Sequence, residues 1–265
     1  MTKTILITGA TDGIGLETAK MMAPEGHTLL LHGRNPNKLI AAAETVSRID
    51  GAGEIKTYRA DLSILPEVEA LADEIKGDFK SIDVLINNAG VFKMSNPLTN
   101  DGYDARFIVN VVAPYMLTQA LLPTLGSNGR VVNLSSAAQA PVNVQGFMNK
   151  RSFSDGDAYA QSKLALTMWS FEMAKELGAS GPMIVAVNPA SFLGSKMVKE
   201  AYGRAGNDLR IGADILTRAA LSDEFADASG RYYDNDRKSF AQPHPDALDS
   251  AKNKRLIEAI KRLMT

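Results

Sequence analysis

A short apolar run, Thr4-Ile-Leu-Ile7, feeds directly into Thr8-Gly-Ala-Thr-Asp-Gly-Ile-Gly15, and a helical pattern follows. Strand, glycine-rich turn and helix in that order open a parallel sheet, because parallel neighbours need a crossover between them. Gly9, Gly13 and Gly15 let the backbone turn tightly and approach phosphate oxygens. The helix that follows offers free amides and the positive end of its dipole. The spacing is Gly-x-x-x-Gly-x-Gly, with one more residue in the first turn than Gly-x-Gly-x-x-Gly. An ordinary glycine-rich βα turn would look the same in isolation, so the rest of the chain has to decide.

The remainder keeps the alternation. Strand-like runs recur at Thr28–Leu31, Ile55–Arg59, Ile82–Ile86, Gly129–Leu134, Met183–Asn188 and Gly230–Tyr233. Helical patterns fall between them at about 14–24, 36–49, 64–76, 102–125, 157–178 and 212–221, with a last one near 247–263. This predicts an α/β fold, a doubly wound Rossmann-type domain with a mostly parallel sheet of about seven strands. With no linker, repeat or low-complexity tract, residues 1–265 read as one domain. The stretches 139–157 and 190–211 are too long for simple connectors, and long loops at a sheet's carboxyl edge usually shape a substrate pocket; 190–211 reads as a lid.

Composition narrows the function. A net charge of −1 with scattered basic residues argues against nucleic-acid binding. No cysteine means no disulfide, thiolate metal site or thiol nucleophile, and three histidines far apart in sequence argue against a metal site. Met1 leads straight into the first strand, and no apolar run approaches the roughly 20 residues of a membrane helix. A cytoplasmic protein with no membrane partner is expected.

The loop residues Gly9, Thr11, Asp12, Gly13, Ile14 and Gly15 form the candidate pyrophosphate site. The second strand ends in Leu31-His-Gly-Arg34, beside the expected adenosine ribose. An acid there would accept both ribose hydroxyls and repel a 2′-phosphate. Gly33 stands where that acid could sit, and Arg34 offers a phosphate-matching fork, which favours NADP(H) over NAD(H). Asp12 weighs the other way, and a solvated Arg34 is the plain alternative. Asp61, followed by Leu62, is either an acceptor for the adenine amino group or a cap for the helix beginning near Ile64. Asn88, Ala89 and Gly90 close the fourth strand, where small residues let the backbone pass under a cofactor; a plain Asn/Gly turn would look similar.

Tyr159 and Lys163 stand four apart on a helix and so share a face. A nearby ammonium favours phenolate, and a phenol tuned that way suits acid/base work at a carbonyl or alcohol oxygen. Ser135 and Ser136 end the fifth strand, where a hydroxyl can donate to a substrate oxygen. Asn110 is an amide within an apolar helix, so a specific bond is expected, either structural or to a water.

In order and on the expected elements, these residues resemble the short-chain dehydrogenase/reductase family: the Thr8–Gly15 loop, Asn87-Asn-Ala-Gly90, Asn110, Ser136, Tyr159-Ala-Gln-Ser-Lys163 and Asn188-Pro189. The resemblance covers nearly the whole chain. It implies Tyr159 as acid/base, Lys163 as the group that lowers its pKa and holds the nicotinamide ribose, and Ser136 as the hydroxyl orienting the substrate oxygen, with Ser135 as fallback. Asn110 would position a water relaying protons toward Lys163. Pro189 and Phe192 join the cofactor contacts.

An insertion at Val142–Asp157, together with Ala158-Tyr-Ala-Gln-Ser-Lys-Leu164, resembles the retinol-dehydrogenase-like branch. Phe147, Met148 and Phe153 would line the pocket rim, or else pack a surface loop. Met197 and Tyr202 are candidate substrate contacts on the lid. The family's usual Pro-Gly is Pro189-Ala190 here, and the tail from Tyr232 departs from the common ending, where tetramer contacts usually lie. The expected partner is a small carbonyl or alcohol substrate, and the expected assembly a homo-oligomer. A non-catalytic nucleotide-sensing scaffold of the same fold is the rival reading, and a sugar-nucleotide epimerase a third.

Overall fold

The computed structural model describes residues 1–264 apart from 151, 152, 195, 197, 198, 200–202 and 204. Eight strands form one sheet: β1 (Thr4–Ile7), β2 (Thr28–Gly33), β3 (Ile55–Arg59), β4 (Val84–Asn87), β5 (Arg130–Leu134), β6 (Met183–Asn188), β7 (Arg231–Asp234) and β8 (Ser239–Ala241). Their order is β3-β2-β1-β4-β5-β6-β7-β8. All neighbours pair in parallel except β7 and β8, which pair antiparallel. The eighth strand exceeds the expected seven. Its three residues are too few to carry a periodic signal, and a turn back from β7 is what creates it.

The winding reverses beside β1. The chain runs outward through β2 and β3, then returns to place β4 on the other side. Crossovers leave in opposite directions there, opening a crevice above the strand ends.

Alternation of side chains divides the core. Leu6 faces one layer and Ile5 and Ile7 the other. The Leu6 layer is covered by α3 (Leu65–Asp78), α4 (Ala105–Leu125), α6 (Asp155–Leu177) and α8 (Ser250–Leu263). Helices α1 (Gly13–Met22), α2 (Pro36–Ser47) and α7 (Leu209–Leu221) cover the opposite layer. Central strands are therefore apolar on both faces, as a twice-covered parallel sheet requires.

Two expectations change. Helix α4 is long and apolar enough to cross a membrane by length and composition, although no such run was expected. It is the core helix of this fold, with 72% of its most apolar window buried inside the protein. The insertion carries a short helix, α5 (Val144–Met148). Phe147 is not at a pocket rim. It is 2% exposed, and its ring stacks on Phe107 at 4.1 Å and meets Phe153 at 4.5 Å. Burying a ring in this way contributes about 2 kcal/mol, so the insertion is stapled to α4 instead of hanging over the crevice.

Candidate active site

The glycine loop is braced from beneath. Thr8 Oγ1 accepts from the Asn88 and Ala89 amides at 3.0 and 3.1 Å, and Asn88 Nδ2 donates to Thr8 O at 2.8 Å. A Cβ on Gly15 would fall 2.4 Å from both Asn88 Nδ2 and Gly9 O, and Gly9 has φ +67°. Only glycine fits these two positions. Asp12 caps α1 by accepting from Gly13 N at 2.8 Å. The first intrahelical bond of α1 is Leu16 N to Asp12 O at 3.3 Å, so the Ile14 and Gly15 amides precede the helical ladder, a donor set suited to a pyrophosphate.

His32 supports the same loop from β2. Gly9 N donates to its Nδ1 at 3.3 Å, and its Nε2 lies 3.1 Å from Ala60 O. An amide can only donate and a carbonyl only accept, so the ring is neutral with its proton on Nε2. Burial pushes its pKa down to about 4, against a smaller opposing effect of the Ala60 hydrogen bond.

At the end of β2, a Cβ on Gly33 would meet Thr11 Cγ2 at 2.4 Å. Thr11 thus stands in the space an acidic side chain would need. Arg34 is largely exposed, with Nη1 4.0 Å from Asp61 Oδ2. Asp61 Oδ1 accepts from Ser63 N and Oγ at 2.9 and 2.7 Å, fixing the turn before α3, whose N-cap is Ile64. Leu62 is buried in the core. Lys38, which the sequence did not single out, lies 3.5 Å from Asp12. Its charge offsets the carboxylate that weighed against a 2′-phosphate.

On α6, Lys163 is 4% exposed. Its Nζ donates to Leu134 O at 2.6 Å and lies 5.6 Å from the centre of the Tyr159 ring. Burial pushes the ammonium pKa down to about 8. A Cβ on Gly90 would come within 3.5 Å of that nitrogen, so the fourth-strand turn passes directly over it. Phe92 packs on Tyr159 with ring centres 4.7 Å apart.

The two serines part company. Ser135 is buried, sharing a 2.7 Å hydrogen bond with Thr167 Oγ1 and lying 3.3 Å from Lys163 O. Ser136 stays half-buried, and its Oγ accepts from Ala138 N at 3.1 Å.

Asn110 occupies a π-helical turn within α4, Ile108–Val112, a distortion that is frequent at functional sites. Its amide exchanges hydrogen bonds with the Val91 backbone at 2.9 and 3.0 Å and donates to Ser162 Oγ at 3.0 Å. Ser162 Oγ in turn donates to Tyr159 O at 2.7 Å. Of the two bonds expected for this asparagine, the side chain makes the structural one.

A further brace escaped the sequence reading. Arg106, 1% exposed, grips Asp104 with Nε and Nη2 at 2.8 and 2.6 Å and also pairs with Asp155 in the first turn of α6. The N-terminal end of the Tyr159 helix is therefore tied to α4. Adjacent charges gave no sequence signal, because their partner lies 49 positions away.

The lid's root is fastened by the tail. Asn188 Nδ2 donates to Asp234 Oδ1 and Asp236 Oδ2, and Asp236 accepts from Ser191 N and Oγ. Asn235 Nδ2 donates to Pro189 O at 2.9 Å. Between them Ala190 is held at φ +118°, and Phe192, about half exposed, at +55°. Gly194 N donates to Asn207 O and Asn207 N to Phe192 O, both at 2.7 Å, closing the neck of the segment. Met197 and Tyr202 lie outside the described residues. A cavity lined by Phe171, Glu172, Lys175 and Ser250 sits along the far half of α6, well past Lys163.

A family model described as short chain dehydrogenase matches residues 3–204. Retinol dehydrogenase 13 of Homo sapiens is 30% identical over 281 residues, covering 99% of this chain and 84% of the relative. A crystal structure of an uncharacterized protein from Mycobacterium paratuberculosis superposes with a TM-score of 0.81 at 29% identity, over 99% of this chain and 93% of that one. The landomycin C-6 ketoreductase LanV, solved with NADP and rabelomycin, superposes with a TM-score of 0.69 at 25% identity, over 88% and 94% of the two chains.

Proposed function

The chain belongs to the short-chain dehydrogenase family, on its retinol-dehydrogenase-like side, and from that premise we propose an NADP(H)-dependent oxidoreductase that interconverts an apolar ketone or aldehyde and its alcohol. The observation that carries this reading is the buried Lys163 ammonium 5.6 Å from the Tyr159 ring, at the end of β5. Tyr159 serves as the acid/base, giving its phenolic proton to the carbonyl oxygen in reduction and taking it back in oxidation. The Lys163 charge favours the phenolate that remains. Ser136, whose oxygen already accepts from Ala138 N, donates its own proton to the substrate oxygen and fixes its orientation. Asn110 keeps the Val91 turn against α6.

When bound, the cofactor supplies or accepts the hydride. The residues fit it: the first-turn amides of α1 would hold the pyrophosphate, Thr11 fills the space a ribose-binding acid would need, and Arg34 with Lys38 would bring two cations to the adenosine end. NADP in the LanV structure supports the phosphorylated cofactor. An apolar substrate is supported by Phe92 beside Tyr159, by the exposed Phe192, and by the name of retinol dehydrogenase 13.

Tyr159→Phe tests the reading. Turnover of aldehydes followed by NADPH absorbance is expected to fall by a factor of about 100 or more, with the NADPH dissociation constant unchanged. Turnover at the wild-type rate would remove Tyr159 from the mechanism.

A further inference from the structure

The strand next to the sheet's closing edge reaches back to the proposed reaction centre. Tyr232 on β7 is in register with Ala186 on β6, and Ala186 with Asn133 on β5. From two strands away its hydroxyl donates to the Ser136 carbonyl oxygen at 3.1 Å. Gln139 Nε2 donates to the same oxygen at 3.0 Å. Gln139 is itself held, because its Oε1 accepts from His244 N at 3.0 Å. Both lone pairs of one strand-end carbonyl are thus filled by side chains, one from β7 and one steadied by the tail.

Capping a carbonyl does not require this. Ser136 is the second residue beyond β5, where strand pairing has ended, and one donor or solvent would satisfy the oxygen. Two donors from different directions fix the peptide plane in rotation as well as in position. That plane sets the direction of the Ser136 Cα–Cβ bond, and Ala138 N then fixes the hydroxyl rotor. Tyr232 is 4% exposed, and burial, reinforced by Asp234 and Asp236, pushes its phenol pKa up, so it remains a donor throughout the working range.

We propose that Tyr232 and Gln139 are positioning residues that hold the Ser136 backbone so that its hydroxyl meets the substrate oxygen. The departing tail thereby has a role in the reaction. This inference rests on the reading of Ser136 given above, and its test separates the two.

The experiment is a double-mutant cycle between Tyr232→Phe and Ser136→Ala. It uses NADPH and the fastest of three carbonyls (decanal, benzaldehyde and all-trans-retinal), with NADPH affinity measured by fluorescence titration. Tyr232→Phe is expected to lower kcat about 10-fold, the scale of one hydrogen bond that sets geometry, with the NADPH dissociation constant unchanged. In the Ser136→Ala background the same change is expected to cost less than about 2-fold, since nothing remains to be positioned. Gln139→Glu keeps the acceptor for His244 N but loses the donor, and is expected to repeat the pattern if Tyr232→Phe folds poorly. Wild-type kcat in both single brace variants, or losses that multiply with that of Ser136→Ala, overturns the brace alone. A fully active Ser136→Ala, or no turnover of any carbonyl by the wild type, overturns the serine reading and the brace with it.

Discussion

Lys163 Nζ lies 2.6 Å from the carbonyl oxygen of Leu134, the last residue of β5 and the one before Ser135 and Ser136. The contact locks the helix carrying Tyr159 to the strand that leads into Ser136, and it does so with a charge taken almost completely out of water. One neutral carbonyl replaces little of the lost hydration, which is why the ammonium pKa is pushed down to about 8.

A stability signature follows. The unfolded lysine keeps its proton to about pH 10.4, whereas the folded one releases it near pH 8. Between those limits the unfolded chain binds more protons, so the stability of the cofactor-free protein rises with pH; below pH 8 the burial cost is present in full. The integrated gain is about 3 kcal/mol. From pH 7 to 10 the urea midpoint of the wild type should gain on that of Lys163→Met. Parallel curves would exclude the buried charge.

His32 predicts a slope of the same sign in acid. Its folded pKa is pushed down to about 4, below the unfolded value of about 6.5. As pH falls from 6.5 to 4 the unfolded chain takes up a proton that the folded ring refuses, and stability drops by about 3 kcal/mol from this group alone. His32→Gln can still accept from Gly9 N and donate to Ala60 O without titrating. Its acid unfolding should be shallower, and equal slopes in the two proteins would sink the argument.

Cofactor choice can be tested in both directions. Arg34→Ala is expected to weaken NADPH about 10-fold, the scale of a charge-assisted bond at an exposed site, and to leave NADH nearly unchanged. Gly33→Asp alone should disrupt the site, because its Cβ would meet Thr11 Cγ2 at 2.4 Å. Pairing it with Thr11→Ser removes that methyl group and is expected to shift preference toward NADH. Dissociation constants for both nucleotides decide; equal losses from Arg34→Ala refute the phosphate assignment.

Ala190 at φ +118° occupies backbone space that favours glycine. Such strain costs about 1–3 kcal/mol and persists where surrounding bonds over-determine it, here those of Asn188, Asn235 and Asp236. Ala190→Gly should therefore raise the unfolding midpoint by a few degrees, despite the added freedom of the unfolded chain. A lower midpoint, measured by calorimetry, would show that the position is unstrained.

Much of this protein is written in local pattern. Apolar runs bounded by turn residues marked seven of the eight strands, and the glycine loop after β1 identified the crevice, because twice-covered strands and helix N-termini demand those residue types over a few consecutive positions. The spacing of Tyr159 and Lys163 put both on one face through the helix repeat alone. Tertiary structure decided whatever depends on partners distant in the chain. It separated Ser135 from Ser136 by closing Thr167 onto one of them, decided for Phe147 between pocket rim and packed insertion by stacking it on Phe107, and set Lys38 against Asp12. It brought Arg106 to Asp155 and Tyr232 to Ser136, the latter across 96 positions. A hydrogen bond or ring contact of that kind leaves no periodic trace, since its geometry exists only after the sheet has wound and its far edge has closed.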